Sequence, residues 1–64
     1  MKEKVSVFMN MYITSEGVRQ RFKDYLGGLV NPLKPSDVVD VERFKSELKD
    51  FCVKNPTCIS KVRV

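Results

Sequence analysis

Between Lys4 and Thr14 the apolar and polar positions alternate. Val5, Val7, Met9, Met11 and Ile13 take the odd places, and Lys4, Ser6, Phe8, Asn10 and Tyr12 the even ones. A period of two over this length, rich in β-branched and aromatic residues, predicts a half-buried strand whose odd residues face the core. Phe8 to Ile13 would aggregate if the strand edge stayed unpaired, so a pairing partner is expected. The period then changes. Val18, Phe22, Tyr25, Leu26 and Leu29 recur at helical spacing behind Thr14 or Ser15 as N-cap, with Glu16 in the first turn, which predicts a helix over 15–29. Gly27 and Gly28 weaken its last turn.

Pro32 and Pro35 make the next stretch a connection, because neither can continue a helix. Ser36 to Val41 reads two ways. Ser36 or Asp37 caps a long second helix, or Val38 to Val41 is a short strand with Asp40 capping the next element. From Val41 onward the pattern is helical, with Val41, Phe44, Leu48, Phe51 and Cys52 on one face and mixed charges opposite. Asn55-Pro56 ends that helix. In Thr57 to Val64, Cys58, Ser60, Val62 and Val64 share one parity and Ile59, Lys61 and Arg63 the other, which predicts a second strand.

These elements predict an α+β fold in one domain spanning residues 1–64, in the order strand-helix-helix-strand (βααβ). Both helices would pack on one face of a small antiparallel sheet made by the two terminal strands. At 64 residues such a core is thin. Pairing the free edge of the first strand with its symmetry mate would extend the sheet to four strands, so a homodimer is expected. A strand at Val38 to Val41 would instead give a three-stranded split βαβ arrangement and weaken the case for a dimer. A strand followed by two helices, over roughly 4–51, also resembles the ribbon-helix-helix repressors, which implies paired strands in the DNA major groove. The long connection from Gly27 to Pro35 and the C-terminal strand depart from that family, and no site residue follows from the resemblance.

Charge sharpens the picture. The formal net charge is +4, and it is unevenly placed: residues 1–23 and 51–64 each carry a net of +3, while 24–50 carry −2. Basic ends are a footprint for polyanion binding, although the same charge also serves solubility. The even face of the first strand, Lys4, Ser6, Phe8, Asn10 and Tyr12, together with Lys61 and Arg63 of the last, combines cations, hydroxyl and amide groups and two rings. Nucleic-acid platforms use that mixture, because rings stack on bases while cations neutralise phosphates. The structural alternative is that the two rings pack on another surface. Arg19, Arg21 and Lys23 are spaced by two, which fans them around more than one side of a helix and favours a solvated face.

Catalytic chemistry finds little support. There is no His to act as a general base, the glycines form no phosphate-cradling pattern, and two Cys cannot complete a zinc site. No catalytic residue, metal or cofactor is expected. Cys52 lies on the apolar stripe and reads as a buried, inert thiol, the other option being a disulfide with Cys58 that closes only a short loop. No apolar run nears the ~18–20 residues of a membrane span, and no secretory pattern opens the chain, so a cytoplasmic protein without a membrane partner is expected. Two function classes remain: a small basic nucleic-acid-binding or regulatory protein, and a non-catalytic protein-interaction module of the compact kind that phages and mobile elements use against host proteins.

Overall fold

The computed structural model describes residues 1–63. Its largest departure from expectation is at the front of the chain. Val5–Tyr12 form a helix, α1, and only Lys2–Lys4 before it are extended, as strand β1. The same residues satisfy both templates. Val5, Phe8, Met9 and Tyr12 stand at i, i+3, i+4 and i+7, and they are the buried or half-buried ones, whereas Val7 and Met11 are exposed. Helical winding buries the Phe8 ring completely; the strand would have left it on the outer face. A helix also satisfies its own backbone groups, while a ten-residue strand needs a neighbour of matching length.

No such neighbour forms. Pro56–Lys61 wind into a 3-10 turn, with Pro56 in its first position, so the expected C-terminal strand shrinks to a single bridge. In that bridge Ile13 and Val62 pair antiparallel, flanked by Thr14 N–H donating to the Lys61 carbonyl (2.8 Å) and Arg63 N–H to the Tyr12 carbonyl (2.7 Å). The expected antiparallel meeting of the first and last segments is therefore present, at one residue pair. Val64, the last residue of the expected strand, lies outside the described residues. The expected four-stranded sheet across a homodimer depends on the open edge of a long first strand. With that segment helical, the first strand is only the three residues Lys2–Lys4.

The two-stranded antiparallel sheet comes from elsewhere. β1 pairs with β2, Val38–Asp40, in the register Lys2 to Asp40, Glu3 to Val39 and Lys4 to Val38. This is the strand alternative for the ambiguous segment, and Asp40 caps the next helix, its side chain accepting from Glu42 N–H at 3.0 Å. Helix α2, Glu16–Gly27, begins at Ser15 and buries Val18, Phe22 and Leu26. Helix α3, Val41–Lys54, buries Phe44, Leu48, Phe51 and Cys52, as its periodicity predicts. Among the described residues the order is β1-α1-α2-β2-α3 and then the 3-10 turn: mixed α+β, in which the first four elements run strand-helix-helix-strand but both strands and the first helix come from other residues than expected, and a third helix follows.

The helices meet on a chain of aromatic rings. Phe44 of α3 lies 5.2 Å from Phe8 of α1 and 5.4 Å from Phe22 of α2, edge-on in the second case. Phe51 continues the line, 5.3 Å from Phe22 and 5.4 Å from Tyr25. Each fully buried Phe contributes roughly 1.5–3 kcal/mol from desolvation, and favourable ring geometry adds to it. The long connection after α2 holds α1 from its other end: the Asp37 and Pro35 carbonyls accept from Val5 and Ser6 N–H at 2.9 and 3.0 Å. They cap a helix whose own N-cap residue, Lys4, has no side-chain cap.

Candidate nucleic-acid interface

The expected platform divides when the chain folds. Phe8 is wholly inside the core and is unavailable for stacking. Tyr12 is half-buried against Phe44 (5.9 Å), and the Lys45 ammonium sits 5.2 Å above its ring. Both rings therefore follow the structural alternative. Lys4 is exposed on β1, opposite Val38. Ser6 and Asn10, one helical turn apart on α1, face a groove shared with α2. Lys61 and Arg63 are exposed beside the α1–α2 connection. The seven residues do not form one face.

Helix α2 stands between two of these groups. On one side the groove of about 340 Å3 is lined by Ser6, Met9 and Asn10 of α1 and by Glu16, Arg19, Gln20 and Lys23 of α2. On the other, a depression of about 240 Å3 has Arg21 of α2 and Lys61 of the 3-10 turn in its lining, with Ser15, Gly17 and Thr57. Among the described residues no carboxylate lines that second site. The spacing by two in Arg19, Arg21 and Lys23 thus distributes cations to both flanks of one helix. From the sequence alone the fan reads as a solvated face. The i, i+4 pairing of Arg19 with Lys23, with Arg21 turned away from them, is the signal that each flank receives its own charge.

Backbone contacts hold the arrangement. The Thr14 hydroxyl and N–H both donate to the Lys61 carbonyl, at 3.1 and 2.8 Å, and so fix the end of the 3-10 turn against the start of α2. Arg19 donates from its guanidinium to the Ile13 carbonyl at 2.6 Å, which ties α2 to the end of α1 and leaves its other donors to the groove. Folding therefore joins the two basic ends of the chain. Among the described residues no Lys or Arg side chain lies within 4.0 Å of an Asp or Glu carboxylate; the one ion pair links the amino terminus to Asp40 at 4.0 Å.

A third concavity is apolar. It is a groove of about 400 Å3 between α3 and the 3-10 turn, lined by Lys49, Cys52, Val53, Pro56 and Ile59. Val53 and Ile59 are 78% and 60% exposed, large fractions for apolar side chains. Cys52 and Cys58 are both free and buried, in line with the inert-thiol reading. Burial pushes the Cys52 thiol above its ordinary value, and the neighbouring Cys58 adds to the shift, so thiolate chemistry is disfavoured there. Among the described residues no three of Cys, Asp and Glu gather closely enough to hold a metal ion, and no helix is long and apolar enough to cross a membrane. The chain matches no protein-family model, no curated protein and no solved structure.

Proposed function

We propose that this protein binds nucleic acid through the basic surface formed by α2 and the end of the 3-10 turn. The supporting observation is that Arg21 and Lys61, far apart in sequence, line one depression with no carboxylate among its described lining residues. Arg63 and Lys23 are exposed near these two elements and extend the positive surface. Guanidinium and ammonium groups in such a place neutralise phosphates and release condensed counterions, so affinity depends on salt. The reading keeps Lys61 and Arg63 from the expected site, adds Arg19, Arg21 and Lys23, and drops ring stacking on Phe8 and Tyr12. It requires no catalytic step.

The test is fluorescence anisotropy with a mixed oligonucleotide pool across a salt series. Binding should weaken with salt, and the Arg21→Ala/Lys61→Ala double variant should lower the slope of log affinity against log salt by about two, close to one per phosphate contact. No binding at low salt, or binding indifferent to salt, overturns the reading.

The second reading, a protein-interaction module, draws on the apolar groove that Val53 and Ile59 leave open. It expects Val53→Ser and Ile59→Ser to abolish capture of a protein partner while Arg21→Ala leaves it intact.

A further inference from the structure

We infer that the nucleic acid is duplex DNA and that α2 lies in its major groove, with Gln20 turned to the base edges. This rests on the nucleic-acid reading above and narrows it. The first reason is the shape of the surface. A groove on one side and a depression on the other make α2 a ridge, with Arg19 and Lys23 outnumbering Glu16 on one flank and Arg21, joined by Lys61, on the other. An α-helix with its side chains is about 10–12 Å across, and the major groove of B-DNA is about 12 Å wide with a phosphate backbone along each wall. Cations on both flanks of a ridge match that geometry. A single strand in an electrostatic channel needs cations along one track only, and the major groove of A-form RNA is too narrow for a helix.

The second reason is the outward face between those flanks, where Gln20 at the rim of the groove, Gly17 at the rim of the depression, Asp24 and Gly27 are all exposed. Packing does not require either glycine. A Cβ on Gly27 would meet nothing within 4 Å, one on Gly17 would touch Ser15 Oγ at an ordinary 3.8 Å, and neither residue has positive φ. Glycine lowers helix stability relative to alanine, so its presence at both ends of this face has no structural return. It does let another molecule approach the backbone closely. Gln20 is the neutral amide of the face, and an amide can pair with adenine through N6 and N7 together. Asp24 works against indiscriminate binding, because its carboxylate repels phosphate and accepts usefully only from a base amino group such as cytosine N4.

The experiment measures anisotropy of the full chain on duplex DNA, single-stranded DNA and double-stranded RNA of the same sequences, after selection from a duplex pool with a randomised centre. Duplex DNA should be preferred over double-stranded RNA by about tenfold or more, and Gln20→Ala should reduce the advantage of the selected sequence over random duplex by about 5- to 150-fold. Gly27→Met, which has room to fold and whose folding is checked by circular dichroism, should cut duplex binding by at least tenfold because the side chain fills the approach. Equal or tighter binding to double-stranded RNA or to a single strand, with salt dependence retained, overturns the groove inference and leaves the broader reading standing. Full affinity in the Gly27→Met variant overturns it as well. Binding to none of the three at low salt overturns both.

Discussion

The contest between strand and helix at Val5–Tyr12 can be decided with two substitutions of opposite parity. In the helix Phe8 is fully buried, 5.2 Å from Phe44, while Val7 is 37% exposed. Phe8→Ala removes the ring and leaves a cavity beside Phe44, which costs roughly 3–5 kcal/mol. A domain of this size has a total stability of roughly 3–10 kcal/mol, so the loss is a large part of the whole. In urea, with a slope of about 1 kcal/mol per molar for so small a chain, the midpoint falls by roughly 3–5 M. Val7→Ala should change stability by no more than about 0.5–1 kcal/mol, since the lost contact is partly exposed and alanine is the better helix former. A period-two strand reverses the ranking: Val7→Ala would cost about 2 kcal/mol and Phe8→Ala little. Urea unfolding followed by far-ultraviolet circular dichroism measures both, with Phe8→Leu as the milder variant should Ala prevent folding. A greater loss for Val7→Ala than for either Phe8 variant refutes the helical packing of α1.

The two ends of α3 give two more expected outcomes. Asp40→Ala removes the carboxylate that accepts from Glu42 N–H and should cost about 1 kcal/mol, whereas Asp40→Asn, which keeps an accepting oxygen, should stay near the parent; equal urea midpoints for the Ala variant and the parent would refute the cap. The buried Cys52 thiol holds its proton in the folded protein above its ordinary 9.0, where the unfolded chain has already lost it. The unfolded state then binds fewer protons, so this contribution is complete below 9.0 and declines as pH rises from there towards the raised folded value. Melting curves at about pH 8 and about pH 10 should show a smaller alkaline loss for Cys52→Val than for the parent, and equal losses would count against the burial argument.

The proposed binding surface lies apart from the core. The stabilising core uses Phe8, Phe22, Phe44 and Phe51, all of them buried. The cations around α2 lie outside it, so they can be changed without touching that core. Binding and stability should therefore separate in mutants of Arg21, Lys23 and Lys61, since exposed substitutions away from caps and cores are usually within about 0.5 kcal/mol.

What the chain determined by itself was local. Helix α2 is written in Ser15 and the stripe of Val18, Phe22 and Leu26, where cap and period agree, and the body of α3 in the stripe from Val41 to Cys52, although its cap is not chosen among Ser36, Asp37 and Asp40. Val38–Asp40 is open between two readings for want of a partner, and β1 supplies one. The first segment is different. Its apolar residues fill both periods, and no side chain caps its start, so local signals could not choose. Carbonyls of Pro35 and Asp37, some thirty residues on, cap α1, and Phe44, further still, receives the Phe8 ring. The candidate site is distributed in the same way. Net charge points to the two ends of the chain, but the Ile13–Val62 bridge and the Thr14 bonds to the Lys61 carbonyl bring Lys61 and Arg21 to one depression, because charges remote in sequence become one surface when a backbone contact joins the segments that carry them.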